Sequence, residues 1–78
     1  VMQRSPLRVV VAEDHDALRR RLAAEIDSQP DMCCVACVAA PEQVVLAARR
    51  SGADVVVLDL MLDGGNALHL IRELRAAV

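Results

Sequence analysis

The segment from Val55 to Asp63 constrains the fold more than any other part of the chain. It opens with four apolar residues, three of them valine, a pattern typical of a strand buried on both faces of a parallel sheet. Asp59 follows these residues directly. Because a carboxylate is costly to bury, we expect Asp59 at the carboxyl end of the strand, where open α/β sheets bind their ligands.

The rest of the chain alternates between strand and helix patterns. Short apolar runs predict strands at residues 7–12, 33–38 and 54–59. A helical period follows each run, and the three predicted helices begin after Asp16, at Pro41 and at Asn66. This alternation predicts an α/β fold with a parallel sheet and right-handed crossovers.

Two residues are expected to mark helix ends. Asp16 is the predicted N-cap of the first helix because a short carboxylate satisfies free N–H groups there. Gly52 is the predicted left-handed residue that ends the second helix. The third helix is predicted from Asn66 to Ala76.

Composition narrows the class of protein. The chain has 78 residues, of which 55% are hydrophobic and 26% charged, so we expect one globular domain over residues 1–78. No apolar run approaches the ~20 residues of a membrane span and no signal peptide is recognisable, so the expected location is cytoplasmic. A net charge of −2 and the absence of Phe, Tyr and Trp argue against direct nucleic-acid contact by this segment.

Acidic residues follow two of the predicted strands. Glu13 and Asp14 come after the first strand, and Asp59 ends the third. The carboxyl ends of parallel strands lie on one edge of a sheet, so these carboxylates converge if the two strands are neighbours. Carboxylates held close together repel unless a cation lies among them, and hard oxygen ligands suit Mg²⁺. The pattern predicts an acidic Mg²⁺ pocket.

Three segments together resemble the receiver domain of two-component response regulators. They read Arg8-Val-Val-Val-Ala-Glu-Asp-His, Gly52-Ala-Asp-Val-Val-Val-Leu-Asp-Leu and Gly64-Gly-Asn-Ala-Leu-His-Leu-Ile. The resemblance covers nearly the whole chain and implies a flavodoxin-like fold with strand order 2-1-3. It matches only the first three of the family's five strand–helix units, so residues 1–78 are expected to be the N-terminal part of such a domain.

The resemblance also implies a role for each acidic residue. Asp59 would be the phosphoacceptor and would take a phosphoryl group from a sensor histidine kinase or a small phosphodonor. Asp14 would bind Mg²⁺ directly, Glu13 through water, and Met61 through its backbone carbonyl, with Asp59 completing the set. The expected context is a regulator whose DNA-binding output lies outside this segment.

The chain also departs from the family pattern. Asp63 stands where the family usually has Pro, and Ala67 where it usually has Gly. The family's Ser or Thr after the fourth strand, its Lys after the fifth and its aromatic switch residue have no counterpart here. Without further strands the third strand would be an open apolar edge, so we expect self-association through it or a chain that is part of a longer protein.

Two alternative functions stay open. One is a degenerate receiver that dimerises through its third strand without phosphotransfer. The other is a Mg²⁺-dependent phosphohydrolase with Asp59 as nucleophile and Asp63 as a second acid. That alternative is the weaker one, because such enzymes usually place the second acid where Met61 stands.

We expect the remaining candidate residues to have structural rather than functional roles. Cys34 and Cys37 have the spacing of a metal or redox motif, but residues three apart on a strand point to opposite faces, so they are not expected to chelate a metal together. We expect them to be thiols buried as small apolar side chains. His15 is expected at the start of the first helix and His69 on a helix surface. The run Arg19-Arg20-Arg21 is expected to be a solvated helix face.

Overall fold

The computed structural model describes residues 5–58, apart from the side chain of Pro41, as an alternation of strands and helices. The elements in chain order are β1 (Leu7–Ala12), α1 (Asp16–Asp27), β2 (Met32–Val38), a 3-10 turn (Pro41–Gln43), α2 (Val44–Ser51) and β3 (Val55–Leu58). These bounds confirm the predicted α/β organisation of this part of the chain. The predicted third helix lies outside the described residues.

The three strands form a parallel sheet in the order β2-β1-β3. This order confirms the flavodoxin-like arrangement. β1 lies in the centre, and its residues 9–12 are at most 2% exposed, because the neighbouring strands and the helices on the two faces remove them from water.

Alternate residues of β1 serve the two faces of the sheet. Val9 and Val11 pack with Ile26 of α1 in one cluster. Ala12 packs with Val44 of α2 in the other. A strand with period-2 side chains therefore builds two small cores, one under each helix.

A β-bulge interrupts the pairing of β2 with β1 and overturns one prediction. Val9 pairs with Cys34, but Val10 pairs with Ala36, so Val35 is an extra residue in β2. Val11 then pairs with Cys37. The bulge thus turns Cys34 and Cys37 to the same face, and the prediction that they point to opposite faces is wrong, because it assumed an uninterrupted period of two.

The start of α1 corrects a second prediction. His15, not Asp16, is the N-cap: its backbone is extended (φ −80°, ψ 113°) and its Nδ1 accepts a hydrogen bond from the Leu18 N–H. Asp16 is already helical and its carboxylate pairs with Arg19. The predicted helix start is therefore one residue late.

Different contacts flank the two ends of α2. At the start, the Gln43 Oε1 accepts hydrogen bonds from the N–H groups of Ala39 and Ala40, at 3.3 and 3.2 Å. Pro41 opens the preceding 3-10 turn rather than the α-helix itself. At the other end Gly52 has a φ of 65°, which confirms the predicted left-handed cap.

Arg8 ties the end of α2 to the beginning of β3. Its Nε donates to the Ser51 carbonyl at 2.8 Å, a favourable place for a cation because the carbonyls at a helix C-terminus carry partial negative charge. The backbone N–H of Arg8 also donates to the Asp54 carboxylate at 2.9 Å, and the Asp54 N–H donates to the Arg8 carbonyl at 2.8 Å. These bonds set the level at which β3 joins β1.

β3 is an outer strand of the sheet as described. Val55 and Val57 are 40% and 38% exposed, although both are large apolar residues. They pair with Val9 and Val11 and therefore share the face that carries α1.

In residues 5–58 no helix is long and apolar enough to cross a membrane.

Candidate functional site

The site is built on the carboxyl ends of β1 and β3. The last residues of these two strands, Ala12 and Leu58, are paired in register. In the sequence Glu13 follows one of them and Asp59 follows the other. The two strands therefore end at the same level, and the neighbouring arrangement that the acidic-pocket prediction requires is present.

Glu13 is the most constrained acidic residue of the described chain. It is 5% exposed, the only buried charged residue among residues 5–58. Its backbone N–H donates to the Val38 carbonyl at 3.0 Å, which joins it to the end of β2. Its own carbonyl accepts a hydrogen bond from the Arg19 Nη1 at 2.9 Å, so the position after β1 is fixed by both β2 and α1.

Asp14, the second member of the acidic pair, differs from Glu13 because it is exposed. One carboxylate of the pair is thus enclosed by protein and the other faces solvent. Such a pair can offer a cation one solvent-facing ligand and one held inside the fold.

Arg19 turns toward the loop between β1 and α1 instead of facing solvent. It connects the Glu13 carbonyl to the Asp16 carboxylate across the first turn of α1. The hydrogen bond and the positive charge of Arg19 lower the pKa of the Asp16 carboxyl. Arg19 therefore departs from the expected solvated face, whereas Arg20 and Arg21 are exposed as expected.

His15 has a structural role beside the acidic pair. Its Nδ1 lies 3.2 Å from the Leu18 N and accepts that N–H. This nitrogen is occupied by the cap of α1. The structure thus supports the structural interpretation of His15.

Several predicted site residues lie outside the described residues. They are the phosphoacceptor Asp59, the carbonyl ligand Met61 and the departing or alternative residues Asp63, Ala67 and His69. Two of the four proposed Mg²⁺ ligands, Glu13 and Asp14, are described, and they adjoin at one sheet edge. Residues 5–58 alone contain no group of three His, Cys, Asp or Glu side chains that could hold a metal.

The donor chemistry of the described pair fits Mg²⁺. Both side chains offer carboxylate oxygens, which are the ligands of a hard cation, and Mg²⁺ characteristically takes one or two carboxylates and keeps several waters. A buried carboxylate such as Glu13 also favours positive charge nearby. The residues present therefore fit this ion.

The family is established by comparison with known proteins. The profile of the response regulator receiver domain matches residues 9–78, which include β2, β3, all but the first two residues of β1, and the acidic pair. The chain belongs to the response regulator receiver domain family. It is thus a receiver domain sequence of two-component phosphorelay signalling, and phosphorylation of an aspartate with Mg²⁺ in an acidic pocket is general in that family.

The chain is similar to a part of several longer proteins, and the names of those proteins differ. The chain is 32% identical over 71 residues to the protein-glutamate methylesterase/protein-glutamine glutaminase 5 of Anaeromyxobacter dehalogenans, covering 91% of this chain and 20% of that protein. It is 35% identical over 69 residues to the sensory/regulatory protein RpfC of Xanthomonas campestris pv. campestris, covering 88% and 9%. The chain thus spans a fifth or less of these relatives.

A solved structure has the same fold. The two-component response regulator of the LuxR family from Aurantimonas sp. SI85-9A1 superposes with a TM-score of 0.83 at 28% sequence identity. The match covers 92% of this chain and 51% of that one. Similar domains therefore occur in proteins with different names and different lengths, so the family assignment does not extend to one output.

Two features of the described chain escaped the sequence analysis. Arg19 bonds the Glu13 carbonyl, and the Sγ atoms of Cys34 and Cys37 lie 3.3 Å apart. The run of three arginines gave no sign of which one turns inward. The cysteine spacing did signal a pair, but an ideal strand geometry led to its dismissal.

Proposed function

We propose that this chain is the phosphoacceptor module of a phosphorelay, with Asp59 as the residue that is phosphorylated. The observation that supports it best is the in-register pairing of Ala12 with Leu58. This pairing brings the positions before Glu13 and Asp59 to one sheet edge, beside the exposed carboxylate of Asp14. Membership of the receiver family supports the same assignment.

The proposed reaction is a phosphoryl transfer to a carboxylate. An Asp59 oxygen attacks the phosphorus, and the bond from phosphorus to the donor breaks. The leaving group is the imidazole of a phosphorylated histidine kinase or the carboxylate of a small acyl phosphate. Mg²⁺, when bound, offsets the negative charge on the two reacting groups.

The proposed metal ligands are Asp14 directly, Glu13 through water, the Asp59 carboxylate and the Met61 backbone carbonyl. The burial of Glu13 and the exposure of Asp14 support this order of contact. Glu13 is held by Val38 and Arg19 through its backbone, so protein contacts fix the main chain at this position. This preorganisation favours binding because less ordering is needed when the ion arrives.

The test is intact-mass spectrometry after incubation with acetyl phosphate and Mg²⁺. We expect an adduct of about 80 Da, the mass of one phosphoryl group, that Asp59→Asn abolishes. Asp14→Asn is expected to slow its formation at least about tenfold, because ligand loss weakens metal binding by such factors or more.

A matched control uses Asp31, an exposed carboxylate at the opposite end of the sheet, next to the start of β2. Asp31→Asn should leave the adduct unchanged. An adduct that survives Asp59→Asn, or that forms equally well with the metal chelated, contradicts the proposal. Far-UV circular dichroism of each variant establishes that the compared proteins are folded.

A second candidate function is association through β3. The exposed apolar side chains of Val55 and Val57 on an outer strand support it, because such strands pair with other chains. We expect Val57→Asp to reduce a dimer seen by sedimentation, and Leu46→Asp, at a more exposed apolar position on α2, to leave it intact. A wild-type protein that sediments as a monomer contradicts this candidate.

The output of the whole protein and its location remain predictions. We propose a DNA-binding output outside residues 1–78, whereas the relatives include a methylesterase and a sensory/regulatory protein. We propose that residues 1–78 form the N-terminal part of the receiver domain and that the protein acts in the cytoplasm. We propose that the domain is not itself an enzyme and that it accepts the phosphoryl group during signalling.

A further inference from the structure

The bulge in β2 brings two thiols into contact. Cys34 pairs with Val9 and Cys37 with Val11, so both thiols lie on the face that carries α1. Their Sγ atoms are 3.3 Å apart. A disulfide needs a separation of about 2.0 Å, so the two sulfur atoms have to approach by only about 1.3 Å.

The two thiols differ in access. Cys37 is exposed, whereas Cys34 is half-buried and packs against the cluster of Val9, Val11 and Ile26. A reagent in solution therefore meets Cys37 first. Cys34 lies behind it, within reach of the Cys37 sulfur.

Cys34 is also held in place through its backbone. Its N–H donates to the Asp27 carboxylate at 2.8 Å, which ties β2 to the end of α1. Its thiol lies 3.5 Å from the Ala36 carbonyl. The first contact fixes the backbone at Cys34, and the second accompanies the position of its sulfur beside Cys37.

The protonation of Cys34 indicates the same order of reaction, with Cys37 reacting first. Burial, and to a smaller extent the hydrogen bond and the charge of Cys37, raise the pKa of the Cys34 thiol to about 12. Cys34 is thus protonated at neutral pH and is not the attacking group in the first step. Once the Cys37 sulfur is in a disulfide it carries no charge, so its contribution to the raised pKa of Cys34 disappears.

We propose that Cys34 and Cys37 form a dithiol site that low-molecular-weight disulfides, such as oxidised glutathione, convert to an intrastrand disulfide. The Cys37 thiolate attacks one sulfur of the oxidant, forms a mixed disulfide and releases one thiolate. Cys34 then loses its proton, attacks the Cys37 sulfur and expels the second thiolate. The dithiol loses two electrons, the oxidant gains them, and both protons end on the two released thiolates.

The two thiols lie in β2 and take no part in the proposed phosphoryl transfer. A disulfide here is reversible by a reducing thiol, and accessible cysteine pairs of this kind respond to the redox state of their compartment. The chain offers an internal control, since Cys33 precedes Cys34 directly but pairs with Arg8, in the alternate set of β2 positions.

The experiment counts free thiols after treatment with oxidised glutathione. The protein is quenched in acid, unfolded, alkylated and weighed, and the modified cysteines are located by peptide mapping. We expect the three thiols of the reduced protein to fall to one, at Cys33, without retained glutathione. Cys34→Ala should instead keep one glutathione on Cys37, and Cys33→Ala should still lose two thiols.

Two further measurements keep the result decisive. In the unfolded chain in urea the preference for the Cys34–Cys37 bond should disappear, because the bulge that aligns the thiols is lost. Wild-type protein that keeps glutathione on Cys37, or that pairs either cysteine with Cys33 or with a second chain, overturns the proposal. Circular dichroism of each alanine variant checks that the reacting protein is folded.

Discussion

The two neighbouring strands β1 and β2 follow different rules. β1 keeps a regular alternation from Leu7 to Ala12, whereas β2 contains an extra residue between the partners of Val9 and Val10. β1 is central and buried on both faces, so a shift of one residue would exchange both of its cores. β2 lies at the outside of the described sheet, where a bulge disturbs only one row of pairs.

The difference between β1 and β2 bears on the two candidate sites as well as on stability. The regular strand ends in the acidic pair, where Glu13 is held from two sides. The irregular strand aligns Cys34 with Cys37. A fixed register thus places the acidic pair at a defined edge of the sheet, while a tolerated irregularity brings two cysteines together.

The largest effect is expected from shortening a side chain in the central strand. Val10 is fully buried, so Val10→Ala should lower the free energy of unfolding by about 2 kcal/mol or more, through lost burial and the cavity left behind. Val35, the extra residue of the bulge, is only half-buried, and Val35→Ala should cost less than about 1 kcal/mol. Urea denaturation of both variants measures the contrast, and equal losses would show that β2 is as constrained as β1.

A smaller effect is expected where the chain leaves β1 and enters α1. His15→Ala removes the side chain that accepts the Leu18 N–H, and loss of an N-cap costs about 1 kcal/mol. Asp16→Ala removes an exposed ion pair with Arg19 and should cost less than His15→Ala, because solvent screens such pairs. If Asp16→Ala is the more damaging variant in thermal unfolding, the cap is assigned to the wrong residue.

The smallest effect concerns the Cys34 thiol of β2. It is not observed at neutral pH and develops only at alkaline pH. The pKa of Cys34 is raised from 9.0 to about 12 in the folded protein, so the folded state holds a proton that the unfolded state releases. The resulting stabilisation is complete below pH 9 and is lost as the pH rises toward 12. Cys34→Ala should flatten the fall in melting temperature over this window, whereas Cys33→Ala should retain it.

Much of the fold follows from local pattern. The Val-rich run of β1 and the glycine after α2 were predicted at their observed positions, because a doubly buried strand and a left-handed cap each leave a short sequence signature. The receiver resemblance was confirmed by a match over residues 9–78. Asp59 and Met61 lie outside the described residues, and their roles stay predictions.

Other features depend on contacts between distant residues. The cap at His15, the inward turn of Arg19 and the burial of Glu13 arise where β1, β2 and α1 meet. The signal at Cys34 and Cys37 was visible as a spacing, yet its meaning depended on the register between two strands. No local pattern carries that register.

The amino-acid sequence by itself determined the alternation of strands and helices, the family and the acidic residues at the strand ends. The tertiary structure decided which residues share a face of β2 and how the acidic pair is held. The physical reason is that periodicity and composition act over a few neighbouring residues, whereas a bulge is stabilised by pairing across strands far apart in the chain. One extra residue in β2 therefore changed two separated cysteines into a contacting pair.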